Sequence, residues 1–208
     1  VTSLKQLRKL WQAEENEDVS SEQLYGYSRY GGDQAHRYDQ GTGYFRTALV
    51  DGRWWFVDPE GYLFLSVGVD CVYTMGGGDV RDVEKREGML AQMPPQRFIG
   101  KGRGGTSTAP FAQWNRERRF GDEAETKASE LAFKRMDKWG VNTIGNWSDA
   151  KLERQRRKAI TCTFYPAGAD SRLMGLGDVY GDNFKQRLRE SLQKTIAPHR
   201  DNPWLIGY

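Results

Sequence analysis

The chain is poor in the residue types that mark several large protein classes. Its 208 residues include only two cysteines and two histidines. Two cysteines do not make a disulfide framework. Cys71 and Cys162 each sit inside an apolar run that reads as a buried strand, where a free thiol behaves as a small hydrophobe. His36 and His199 stand alone without metal-ligand spacing, and read as surface or loop residues. No apolar run approaches the roughly 18 residues that would span a bilayer, so no membrane partner is expected. Neither charge sign dominates: the formal net charge is +3. The basic run Arg154-Gln155-Arg156-Arg157-Lys158 is not joined to a nucleic-acid-binding motif and reads as a solvated helix face. The first residue is Val1, so the lack of a leader says nothing about export.

Hydrophobic residues make up 38% and aromatics 12%, with seven Trp and ten Tyr, a globular rather than disordered composition. Flat aromatic rings suit the stacking surfaces of sugar-processing sites, and ordinary cores use them equally well. The length supports one good core but falls short of the about 250 residues of a complete eight-stranded α/β barrel.

Residues 1–42 are polar, and Leu4, Leu7, Leu10 and Trp11 set a helical spacing over Leu4–Glu15. Tyr25–Gly32 reads as an ordered loop. The pattern changes at Gly43. Tyr44–Val50 and Arg53–Val57 flank Asp51-Gly52, a dipeptide suited to a type I′ hairpin turn, and Asp58–Gly61 makes a second turn. Tyr62–Val72 is nearly continuous in apolar residues and predicts a strand buried on both faces. Residues 74–122 form a Gly-, Pro- and Arg-rich insertion, with a short helix near Asp82–Gln92. Connections of that length are usually functional or mobile.

Beyond it, Glu123–Trp139 predicts a helix with Ala128, Leu131, Ala132 and Trp139 on one face and Gly140 as its C-terminal cap. Val141–Gly145 follows as a strand. Ser148 or Asp149 caps a basic helix at Ala150–Lys158, and Ala159–Tyr165 is the next strand. A helix over Asp182–Pro198 carries Phe184, Leu188, Leu192 and Ile196 at four-residue spacing, and Leu205–Tyr208 opens a fourth strand. The alternation argues for a parallel sheet with covering helices. Gly76-Gly77-Gly78 and Gly102–Ser107 lack the Gly-Lys-Ser/Thr ending of a phosphate cradle and read as loop.

Three segments carry a family resemblance. Thr42–Arg46, continued by Asp51–Gly61 and the run to Val72, is similar to the entry of the catalytic domain of β-agarase-like glycoside hydrolases, family 50 or a close relative. Trp139-Gly140-Val141-Asn142-Thr143-Ile144-Gly145-Asn146-Trp147-Ser148-Asp149 resembles a second signature of that group, and Asp201–Tyr208 the start of a third. In the group the third signature continues into Phe, a variable residue and Asp-Asn-Glu, whose Glu is the general acid/base. The resemblance covers residues 25–72 and 125–208, while 74–122 departs from it.

This resemblance implies the N-terminal half of a (β/α)8 TIM barrel, about four βα units. A β-hairpin and an irregular segment precede them. Residues 1–42 would be an extension packing on the barrel, and residues 43–208 the partial catalytic domain, truncated after its fourth strand. It also implies a retaining hydrolase of β-linked galactan such as agarose, with a polysaccharide or oligosaccharide as its partner and no nucleic acid. No cofactor is implied, and export to the periplasm or medium is expected. Both catalytic carboxylates would lie beyond Tyr208, the nucleophile on about the seventh strand.

In such a barrel the chemistry sits at the C-terminal ends of the strands, where Asp70, Asn146, Trp147 and Tyr165 fall. They are the expected substrate contacts. Asp70 either binds a sugar hydroxyl or an Arg, or ties down a loop. Trp147 either stacks on a pyranose or plugs the top of the barrel, and Tyr165 has the same two readings. Asn146 offers both donor and acceptor. A retaining enzyme needs two carboxyl groups about 5–5.5 Å apart, and Asp149 sits where a helix cap belongs, which disfavours an Asp70/Asp149 pair. A non-catalytic carbohydrate-binding module is the rival expectation, and a nucleic-acid-binding protein the third.

Overall fold

The computed structural model describes residues 1–76, 78–164, 172–173 and 176–208. Six α-helices are found among them: α1 (Leu4–Asn16), α2 (Ser21–Tyr25), α3 (Phe111–Phe120), α4 (Ala124–Lys138), α5 (Ala150–Glu153) and α6 (Phe184–Ile196). An antiparallel sheet of β1 (Asp33–Arg37), β2 (Arg46–Val50), β3 (Arg53–Val57) and β4 (Tyr62–Phe64) comes first, in the order β1-β4-β3-β2. After β5 (Gly68–Val69), the insertion builds β6 (Asp79–Arg81), β7 (Gly100–Lys101) and β8 (Ser107–Pro110). Then follow β9 (Thr143–Ile144), β10 (Ala159–Thr161), the small hairpin of β11 (Arg172–Leu173) and β12 (Leu176–Gly177), and β13 (Leu205–Gly207).

Strands β5, β9, β10 and β13 pair in that spatial order, all parallel. Each neighbour in space is the next of these strands in the chain, and α4, α5 and α6 lie in the successive crossovers. Parallel neighbours need a crossover of this kind, so the alternation read from the sequence yields a mixed α/β fold. The sheet is open, and no closed barrel forms among the described residues. Its core packs Ile144, Ile160 and Cys162 of the sheet against Phe133 and Met136 of α4 and Leu152 of α5. Phe184, Leu188 and Leu192 share one face of α6 and are half-buried, with Ile196 exposed at its end.

The structure corrects several expectations. Tyr62–Val72 is two strands of two different sheets, because β4 pairs antiparallel with β3 whereas β5 pairs parallel with β9. The link between them leaves Leu65, Val67 and Val69 exposed at the sheet edge, and Cys71 is exposed as well. Periodicity cannot reveal such a switch of sheet, since both halves are equally apolar. Trp139 does not share the buried face of α4; it caps the helix and is 65% exposed. The basic helix ends at Glu153 rather than Lys158, since Arg156 adopts a positive φ. Its cations are spent locally: Arg157 pairs with Glu130 and covers the Phe133 ring, and buried Lys158 pairs with Asp137. The insertion is more ordered than its composition suggests, with a three-stranded sheet, a 3-10 segment at Val83–Met89 and all of α3.

Other local readings hold. Asp51 and Gly52 both have positive φ, as a type I′ turn requires. Gly140, at φ +67, follows α4 and donates to Asp137 O. Asp149 caps α5 through Lys151 N–H.

Two buried polar side chains join the N-terminal segment to the sheets. Asp58 accepts from the Ser28 hydroxyl and from the amides of Glu60 and Tyr62, both at 2.9 Å. Asn142 donates to Gly31 O and Leu65 O at 3.0 and 2.9 Å, and accepts from Val67 N–H at 2.8 Å.

Helix α1 buries none of its residues and is held mainly by charge. Arg135 makes a two-pronged contact with Glu14, Arg119 reaches Glu14 and Glu15 and covers the Trp11 ring, and Lys138 pairs with Glu17. The hydrogen bond from Arg135 holds the Glu14 carboxyl below its usual range, against the opposing pull of partial burial. A carboxylate with a lowered folded-state pKa stabilises fully above its unfolded pKa and loses that contribution as pH falls through the folded value. Helix α1 is therefore expected to detach in acid, and in high salt, before the core opens. Amide hydrogen exchange should show α1 losing protection several-fold at pH 3 or in 1 M salt while α4 keeps its own. Equal protection of both helices under those conditions would refute the electrostatic account.

Candidate functional site

The C-terminal ends of the parallel strands place Asp70 after β5, Gly145-Asn146-Trp147 after β9, Cys162 after β10 and Tyr208 after β13. The first two exits are bound to each other. Gly145 N–H donates to Val69 O at 2.8 Å, and Cys71 N–H to Asn146 O at 2.9 Å. Val72 N–H donates to the Ser148 hydroxyl at 3.1 Å, and Asp149 N–H to Val72 O at 2.9 Å.

Both exits turn through a left-handed residue, Cys71 at φ 58 and Trp147 at φ 57. A bulky residue at positive φ is strained and persists only where its surroundings impose it. Here the bonds on either side of Trp147 impose it, and the indole is turned outward, 58% exposed.

Asp70 is exposed and has no hydrogen bond or ion pair among the described residues. Its carboxylate lies against the backbone of the next strand: a Cβ on Gly145 would come within 1.9 Å of Asp70 Oδ1. Glycine at 145 is what admits that carboxylate. Asn146 is half-buried, and its Oδ1 accepts from the Thr161 hydroxyl at 3.4 Å. Its amide nitrogen has no partner among the described residues, leaving donors for a ligand. Asp70, Asn146 and Trp147 are thus brought to one edge of the sheet. Tyr165 lies outside the described residues.

Asp149 is committed elsewhere. Oδ1 accepts from Lys151 N–H at 3.1 Å and Oδ2 from the Thr74 hydroxyl at 2.6 Å. Burial alone would raise its pKa, but the Thr74 and Lys151 contacts outweigh it and hold the carboxyl below its usual value. It is a cap and a loop tie, not half of a carboxylate pair. Cys162 is no activated nucleophile either, because burial pushes its thiol up to about 11. Its Sγ lies 3.6 Å from Nε2 of His199, which is half-buried rather than a free loop residue.

Among the described residues no three His, Cys, Asp or Glu side chains group as a metal site would require, and no helix is long and apolar enough to cross a membrane. Gly145 and Thr74 were not singled out from the sequence, and Ser148 only as an alternative helix cap. Of these, only a glycine directly after a strand carries a readable signal, that of close approach by another group.

No family model matches the chain. It is 27% identical to Beta-agarase B of Vibrio sp. (strain JT0107) over 90% of its length, which is 24% of that protein. It is 34% identical to Beta-agarase A of the same strain over half of the chain. The solved agarase AgWH50C superimposes over the whole chain with a TM-score of 0.84 at 25% identity, and PfGH50B with 0.80 at 24%. In both cases the chain spans 34% of the solved protein, so it corresponds to about a quarter to a third of these relatives. The chain is thus similar in sequence to a β-agarase over 90% of its length, and in fold to solved structures over all of it.

Proposed function

We propose that this chain forms the first part of the catalytic (β/α)8 barrel of a retaining glycoside hydrolase acting on β-linked galactan, with agarose as the polymer. The superposition of the whole chain on part of a solved agarase carries the reading. Four parallel strands in chain order, with their polar and aromatic residues at one edge, support it, since that edge is where barrels of this kind do their chemistry.

In this reading Trp147 stacks on the apolar face of a pyranose ring, Asn146 donates to a ring hydroxyl, and Asp70 accepts from another. The acid/base is the glutamate that follows β13 in the third signature, and the nucleophile comes from a later strand, about the seventh. The insertion, which leaves the sheet directly after Asp70, covers part of the cleft. Retaining hydrolysis of this kind needs two carboxyl groups and water, and residues 1–208 alone bind sugar without cleaving it. As the substrate is an external polymer, the enzyme acts outside the cytoplasm.

Trp147→Ala tests the site in the polypeptide that continues through the later strands. Loss of a stacked ring at a subsite is expected to lower kcat/KM for an agarose oligosaccharide by about 10–100-fold. Wild-type kinetics would remove Trp147 from the cleft. Reducing sugar released from agarose by purified Val1–Tyr208 would contradict the placement of the carboxylates.

A further inference from the structure

One face of the antiparallel sheet is only half covered. Side chains alternate across a strand, and Thr47 stands opposite Phe56, Leu49 opposite Trp54, and Phe56 opposite Phe64. Phe45, Thr47 and Leu49 therefore share a face with Trp54, Phe56 and Asp58 across β3 and with Phe64 on β4. Exposure climbs along that face. Phe64 is 1% exposed, Phe56 38%, Leu49 54% and Trp54 70%.

The buried half meets the N-terminal end of the parallel sheet. The Phe45 ring lies 4.9 Å from Phe64 and 6.5 Å from Tyr30, and Tyr30 lies 4.5 Å from Trp204. Trp204 immediately precedes β13, and Asn142, which holds Gly31 and Leu65, immediately precedes β9. The antiparallel sheet is thus a platform beneath the starts of the parallel strands. That platform is wider than the four strands it meets, whereas a closed barrel of this class has eight.

The uncovered half is also apolar throughout. Arg46 and Arg53 stand opposite Val57 and Val50, on the other face, so the bare part carries only Thr47, Leu49, Trp54 and Phe56. An ionic partner finds no counter-charge there, while apolar strand starts like those already seated on Phe64 match it. An aromatic anchor flanked by aliphatic carbon is the usual centre of such a contact.

We infer that Leu49, Trp54 and Phe56 are the docking surface for the N-terminal ends of the later barrel strands, supplied by the same polypeptide beyond β13. The inference rests on the (β/α)8 reading above and adds a contact to it. The leading hairpin spans the floor of the barrel and fastens its second half to its first.

The test uses the polypeptide that continues through the later strands, with the photoreactive p-benzoylphenylalanine in place of Trp54 and, separately, of Leu49. Irradiation is expected to join either position to a peptide C-terminal to Tyr208 of the same molecule. In the unsubstituted polypeptide, hydroxyl-radical oxidation of Trp54 is expected to be at least about tenfold slower than in the unfolded chain. A cross-link to a second copy, to a segment upstream of Val1 or within residues 1–208 overturns the inference. So does the absence of a cross-link from both positions, or a Trp54 oxidised within about twofold of the unfolded rate. Any of these in a polypeptide that cleaves agarose leaves the hydrolase reading standing. A cross-link beyond Tyr208 in a polypeptide that cleaves no galactan does the reverse.

Discussion

Asp58→Ala is expected to cost about 4 kcal/mol, lowering Tm by roughly 10 °C, because it strips partners from several buried donors at once. Asp58 is fully buried and opens the turn between β3 and β4. Its Oδ1 collects the amides of Glu60 and Tyr62, and its other oxygen takes the Ser28 hydroxyl. Ser28 in turn accepts from Gly32 N–H at 3.0 Å and Tyr30 N–H at 3.2 Å. Gly32 has no room for a side chain, since a Cβ there would meet Asp58 Oδ2 at 2.5 Å.

The carboxylate therefore fastens the 28–32 loop to the antiparallel sheet, and its loss leaves donors that water cannot easily reach. Asp58→Asn keeps the acceptor for both amides and should lose only about 1–2 kcal/mol. Chemical denaturation of both variants separates the two cases. An alanine variant within about 0.5 kcal/mol of the parent would show that water replaces the carboxylate freely.

Asn142→Leu should be nearly as costly, about 3 kcal/mol, despite keeping the same branched heavy-atom skeleton. Asn142 is buried and uses both ends of its amide. The nitrogen bridges Gly31 O and Leu65 O, and the oxygen takes Val67 N–H and, at 3.0 Å, the Thr143 hydroxyl. Gly31 must be glycine both for its φ of +93 and because a Cβ would approach Asn142 Cβ to 2.7 Å. Leucine would orphan two carbonyls and an amide at the point where the chain leaves one sheet for the other. The diagnostic readout is hydrogen exchange at Val67, which should accelerate beyond what the global loss of stability explains. Unchanged local exchange would locate the damage elsewhere.

The same two residues explain what could and could not be read in the sequence. Where a local rule dictates structure, the expectation held. Asp51-Gly52 forms the hairpin turn, Gly140 ends α4, Asp149 caps α5, and alternating strands and helices produce the parallel sheet. Where a long-range contact decides, it did not. The switch of sheet after Phe64 depends on Asn142, 77 positions from its partner Leu65. Trp139 faces solvent because Tyr25 and Tyr27 hold the chain around it, which helical periodicity cannot foresee.

The candidate edge was legible as a set of strand-end positions, and Asp70, Asn146 and Trp147 do follow β5 and β9. Its detailed shape was not. The fit of the Asp70 carboxylate over Gly145, and the bonds that turn Trp147 outward, follow from the parallel pairing of β5 with β9. That pairing joins residues about 75 positions apart in the chain.

The root of the insertion has a consequence for how such a protein can diversify. Asp79 pairs with Pro110, so the chain enters and leaves the small sheet side by side. Arg116 grips the carbonyls of Tyr73 and Gly76 just below that doorway, and α3 lies along α4. Everything from 80 to 109 is therefore a cassette on a fixed socket. Doubling its length would add only about 0.6 kcal/mol of closure entropy, with no change of register in the parallel sheet. The segment between the two ends of that socket is free to vary, while the parallel sheet it departs from is not.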